Sequence, residues 1–144
     1  MLLLMSGIVY ADDFQDGQDA YKRKDYKTAI EKWKPLAEQG NALSQMFLGL
    51  MYNQGDGVMQ DYQEAIKWFT QSANQGNADA SFIIGGIYAY KEETQDYKKA
   101  AKWFRHSADL GSSSGQYQLG LMYKEGNGVM QDYQEAIKWF TQSA

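Results

Sequence analysis

The chain has 144 residues, 44% of them hydrophobic and 15% aromatic, which is enough apolar surface to fold without staples. Its formal net charge of -4 and the lack of clustered Lys and Arg argue against nucleic acid as a partner and against a polybasic membrane patch. It contains no cysteine, which removes disulfides, thiolate metal sites and a cysteine nucleophile while leaving the redox compartment open.

Residues 1–11 form an apolar run, shorter than the roughly 20 residues of a membrane-spanning helix, that ends in Val9-Tyr10-Ala11 before Asp12-Asp13. This resembles the tail of a secretory signal peptide, although no Lys or Arg precedes it. The expectation is a leader remnant over 1–11, a periplasmic or secreted protein, and no membrane insertion once the leader is gone. The alternative is a disordered apolar leader or half of a first helix.

Downstream, the chain is a set of repeats. Leu48–Ala73 returns seventy-one residues later as Leu119–Ala144 with three changes, Asn53 to Lys124, Gln54 to Glu125 and Asp56 to Asn127. That spacing is too long for one supersecondary unit, and a fainter copy lies between the two. In it Ile84-Gly85, Tyr88, Ala100, Trp103, Phe104 and Ala108 answer Leu48-Gly49, Tyr52, Ala65, Trp68, Phe69 and Ala73. A divergent upstream copy aligns Asp25, Tyr26, Ala29, Ala37 and Gly40 with Asp61, Tyr62, Ala65, Ala73 and Gly76, around a shorter turn at Lys22-Arg23-Lys24. Residues 12–144 thus read as one repeat domain, with repeats near 13–40, 41–76, 77–111 and 112–144.

Each repeat divides into two helices. The first helix of the second repeat is apolar around nearly its whole circumference, as suits a helix enclosed on more than one side. Gly49, Gly85 and Gly120 recur within these first helices despite a helix-propensity penalty of about 1 kcal/mol each, which predicts close approach of a neighbouring helix backbone. The second helix begins at Asp61, an N-cap, and Glu64 three residues later completes a capping box that Asp132 and Glu135 repeat. Tyr62, Ala65, Ile66, Phe69 and Ala73 make its apolar face, and Gly76, like Gly40 and Gly111, is expected as a left-handed C-cap. The fold expected is all-α, an α-solenoid of four antiparallel helix pairs forming a tetratricopeptide-like right-handed superhelix.

The pattern Ala42-x-Ser44-Gln45-Met46-x-Leu48-Gly49-x-x-Tyr52-x-x-Gly55-x-Gly57-Val58-x-x-Asp61, continued by Ala65, Trp68, Ala73 and Gly76, resembles the Sel-one-like repeat (SLR) family, a tetratricopeptide-like class. The opening through Phe14, Gly17, Ala20-Tyr21 and Trp33–Gly40 is similar to the shorter first repeat of secreted bacterial members. The third copy departs by replacing Gly-x-Gly with Lys91-Glu92-Glu93-Thr94, so its turn should differ in shape. The absence of Cys sets the chain apart from relatives that staple each helix pair. A link to β-lactam binding reported for some relatives finds no specific support in these residues.

No pattern of residues carries chemistry. His106, the only histidine, has no second ligand at helical spacing and is expected at the surface or facing a partner. Asp61, Asp132 and Glu64 fit capping better than acid–base work, and Asp56 lacks the further carboxylates of a calcium loop. Trp33, Trp68, Trp103 and Trp139 recur at repeat spacing and are expected in packing. Neither an enzyme nor a bound cofactor or metal is expected.

The resemblance implies a scaffold that binds a protein or peptide on its concave face. The first-helix positions expected there are Leu43, Phe47, Leu50, Met51 and Gln54, then Asp79, Ile83, Ile87 and Tyr90, then Gln118, Leu121, Met122 and Glu125. The last helix stops without a cap or capping repeat, and the expectation is either that the natural chain continues or that the uncapped C-terminal end self-associates. Alternative readings are a β-lactam- or peptidoglycan-related envelope enzyme or binder, and a secreted host-interaction factor.

Overall fold

The computed structural model describes residues 2–144, with side chains from Asp12 onward. The leader expected over 1–11 therefore lies outside the residues whose side chains are described. Among the described residues the fold is all-helical: α1 (Leu2–Lys22), α2 (Tyr26–Glu38), α3 (Ala42–Gln54), α4 (Tyr62–Ala73), α5 (Ala78–Tyr90), α6 (Tyr97–Asp109), α7 (Ser113–Glu125) and α8 (Tyr133–Ser143). They fall into two compact units, residues 1–72 and 73–144.

The helices begin where short polar side chains stop the preceding turn. Asp25, Asn41, Asn77, Asp96, Ser112 and Asp132 are N-caps, each accepting from a backbone N–H two or three residues on. Asp61 acts alike, accepting from Glu64 N at 2.9 Å. The expected capping box is only half formed. The Asp61 N–H donates instead to Tyr52 O at 2.9 Å, closing the turn from α3, and the Glu64 carboxylate pairs with Lys67 at 2.7 Å. Asp132 repeats this, its N–H on Tyr123 O and Glu135 on Lys138.

In the first unit, Ala20, Ala29, Trp33, Ala37, Leu48 and Met51 form the core, walled by Phe14, Tyr21, Tyr26 and Phe47. In the second, Ala100, Ala101, Phe104, Ala108, Leu119 and Met122 do so, walled by Phe82, Tyr88, Tyr123 and Trp139. The recurrent helix glycines explain how paired helices come so close. A Cβ on Gly49 would sit 2.6 Å from the Phe69 ring, one on Gly85 2.6 Å from Phe104, and one on Gly120 2.7 Å from Phe140. The close approach expected is thus to an aromatic side chain of the paired helix rather than to its backbone.

This contact corrects the reading of the tryptophans. Gly17 presses on Trp33, so Trp33 occupies the position of Phe69, Phe104 and Phe140, and it is fully buried with Nε1 donating to Phe14 O at 3.2 Å. Trp68, Trp103 and Trp139 form a separate, half-buried series. Buried serines add a second tie inside each pair: Ser72 Oγ donates to Ala42 O at 2.7 Å and Ser107 Oγ to Ala78 O at 2.9 Å.

The turns differ as their sequences predict. Gly57 and Gly128 take φ +71 and pack against Tyr26 and Tyr97, the first residues of the second helix one repeat earlier, where no side chain has room. In the third repeat a single 3-10 turn over Glu92–Thr94 takes over, and Thr94 Oγ1 donates to Ile87 O at 3.0 Å.

Candidate functional site

The first-helix residues expected to meet a partner differ in exposure with their position relative to the helix glycine. Leu43 is 52% exposed, Gln54, Asp79 and Glu125 are exposed, and Tyr90 is 66% exposed. Phe47, Leu50, Ile83, Gln118 and Leu121 are half-buried. Met51, Ile87 and Met122 are buried, at 0%, 3% and 5%, and offer no surface to a partner. All three stand two residues after Gly49, Gly85 and Gly120, a position that turns into the interior. An apolar stripe that wraps the helix hides this inward column from periodicity. Phe47 is also committed to packing, stacked on Trp33 with ring centroids 4.6 Å apart.

Five of the expected residues converge in the second unit. Tyr90 at the end of α5 and Gln118, Leu121 and Glu125 along α7 line a cleft of about 330 Å³, floored by Phe104 and Met122. The Tyr90 hydroxyl donates to Gln118 Oε1 at 2.9 Å, bridging the two helices. Partial burial, then the Glu125 carboxylate, push the Tyr90 phenol above its ordinary pKa. At the position where α3 and α7 hold Leu50 and Leu121, α5 has Gly86, and a Cβ there would meet nothing within 4 Å. The rim is therefore polar and the floor apolar, a surface that can take both the backbone and side chains of a peptide. Gln54 on α3 has a different occupation: its side-chain amide lies 2.9 Å from the Tyr21 hydroxyl.

Sequence reasoning missed a second concavity, about 460 Å³ in volume and lined by Asn74, Tyr88, Lys99, Lys102, Trp103 and His106. His106, expected at the surface or facing a partner, is half-buried. Its Nδ1 lies 2.9 Å from Ser81 Oγ, and its ring meets Trp103 edge-on at 5.7 Å. Among the described residues no three His, Asp or Glu side chains are grouped to hold a metal ion, and no helix is long and apolar enough to cross a membrane.

Comparison with known proteins fits this architecture. The family model described as Sel1 repeat matches residues 42–77, 78–112 and 113–144. Among solved structures, c5321 from uropathogenic Escherichia coli, described as a protective antigen with an SLR fold, superposes with a TM-score of 0.83 at 34% identity over 94% of this chain and 30% of its own. A Sel1 repeat protein from Oxalobacter formigenes gives a TM-score of 0.82 at 29% identity, over 91% of this chain and 54% of its own. Helicobacter pylori cysteine rich protein B shares the fold at 19% identity and a TM-score of 0.64, over 81% of this chain and 87% of its own. This chain thus spans about a third and about half of the first two. No curated protein matches it. Three consecutive matched repeats, carrying the glycine–aromatic contact and the capped second helix, make the chain a member of the Sel1 repeat family, whose helical scaffolds generally serve protein interaction.

Proposed function

We propose that the protein is a non-catalytic adaptor that binds a protein or peptide segment on its first-helix face, in the bacterial envelope or outside the cell. The observation that carries this reading is the cleft between α5 and α7, where Tyr90, Gln118, Leu121 and Glu125 surround an apolar floor. Exposed aromatic and polar groups over apolar floors are what peptide-binding surfaces use. The leader-like residues 1–11 and the 34% identity to a protective antigen support a location beyond the cytoplasmic membrane.

The test is capture from an envelope extract of the source cells on immobilised protein, with a Tyr90→Ala/Leu121→Glu variant alongside and identification by mass spectrometry. A protein retained by the wild type and lost by an equally helical variant is the expected result. Retention unchanged in the variant sinks the assignment to this face.

A further inference from the structure

The two near-identical repeats serve as an internal reference for the third. At four positions where α4 and α8 agree, α6 is basic instead: Gln63 and Gln134 become Lys98, Glu64 and Glu135 become Lys99, Thr70 and Thr141 become Arg105, and Gln71 and Gln142 become His106. In α4 and α8 the glutamate neutralises the lysine one turn on, Glu64 with Lys67 at 2.7 Å and Glu135 with Lys138 at 2.5 Å. In α6 the same lysine, Lys102, faces Lys99 at that spacing. Like charges three residues apart on a helix repel. Lys99 keeps only a loose, exposed pairing with Asp96 at 3.7 Å and lies 5.2 Å from the centroid of the Tyr88 ring.

The histidine belongs to the same rebuilding. Where the second repeat pairs Gln45 with Gln71 at 3.3 Å, the third pairs Ser81 with His106 at 2.9 Å. Both partners changed, a shorter side chain opposite a ring. The Ser81 hydroxyl, which donates to Asn77 O at 3.2 Å, lies 2.9 Å from Nδ1 and holds the ring in place. Lys99, Lys102 and His106, at i, i+3 and i+7, share one helix face around the concavity of about 460 Å³.

We propose that this cleft docks an acidic segment of a partner polypeptide, its carboxylate held by Lys99 and Lys102 beside the His106 ring while a neighbouring apolar side chain rests on Trp103 and Tyr88. Two observations favour carboxylate over phosphate. The guanidinium of Arg105, the group best shaped to grip phosphate, is held elsewhere by the Tyr123 hydroxyl and the Trp139 ring. The chain's net charge of -4 opposes polyanionic nucleic acid and anionic membrane surfaces, while a few carboxylates beside apolar groups need only the local cations. The site is separate from the α5–α7 cleft and does not depend on it.

The experiment is fluorescence anisotropy of a fluorescein-labelled octapeptide of alternating Glu and Leu, with a Gln-for-Glu control, at about 50 mM salt, where ionic contacts are weakly screened. The full chain is compared with a Lys99→Glu/His106→Gln variant, which takes the residues that α4 and α8 already carry at these positions, and with Lys102→Gln. The Glu peptide is expected to bind about tenfold or more tighter than the Gln peptide and to lose about tenfold in the double variant. Lys102→Gln should weaken it too, and Tyr90→Ala/Leu121→Glu should leave it unchanged. Equal binding of the two peptides, or binding indifferent to the α6 variants, overturns the proposal. So does tighter, α6-dependent binding of inorganic polyphosphate or phosphatidylglycerol vesicles.

Discussion

Gly85 and Gly86 sit side by side in α5 and meet opposite surroundings. A methyl group on Gly85 would sit 2.6 Å from the Phe104 ring, whereas one on Gly86 would meet nothing within 4 Å. Overpacking a filled core costs about 1–3 kcal/mol, and replacing a helical glycine by alanine gains up to about 1 kcal/mol. Gly85→Ala should therefore lower the urea midpoint and Gly86→Ala raise it; the same sign for both would break the account of the glycine–aromatic contact. Tyr21 is a second residue whose neighbours set its behaviour. Burial first, then its hydrogen bond to Asp56 at 2.7 Å, raise its phenol to about 12 from 10.0. A raised folded-state pKa stabilises below the unfolded value, so this contribution is intact under pH 10.0 and fades as pH climbs to about 12. The melting-temperature advantage of wild type over Tyr21→Phe should shrink across that alkaline window; a constant gap would exclude the linkage.

Capping was readable at the level of the element because the cap and the N–H it binds lie within three residues, inside one stretch of sequence. The second half of the box was not readable, because the Asp61 N–H goes to Tyr52 O, nine positions back across the turn, and no local pattern encodes that competition. The energetic consequence is asymmetric. Asp61→Ala should cost about 1 kcal/mol of stability, as an N-cap does. Glu64→Ala should cost less than about 0.5 kcal/mol, since its carboxylate only meets the exposed Lys67. Equal losses in thermal melts would mean that the box is closed after all. The register of Trp33, by contrast, was readable: setting Ala29 and Ala37 against Ala65 and Ala73 already places Trp33 opposite Phe69, and its packing on Gly17 agrees.

At the scale of the whole molecule, the repeat pattern declares the architecture and conceals the division of labour within it. Because α3 and α5 are apolar on nearly all sides, periodicity could not separate the inward Met51 and Ile87 from exposed neighbours such as Leu43 and the cleft-lining Tyr90. The basic face of α6 could have been found by setting each second helix against its two siblings, a charge comparison rather than a motif. The packing also predicts how strain spreads. In the second unit the strongest packing joins sequence neighbours, α5 to α6, α6 to α7 and α7 to α8, with a slight touch between α5 and α7. Stability in such a stack is a sum of local and nearest-neighbour contributions, so damage should decay with distance along it. Gly120→Ala forces a methyl group to 2.7 Å from the Phe140 ring and loosens the α7–α8 pair directly. Amide hydrogen exchange should then accelerate most in α7 and α8, less in α6 and least in α5. A uniform acceleration across the four helices would instead mean that the unit opens as one cooperative body, and that its repeats are a pattern of sequence and packing but not of energy.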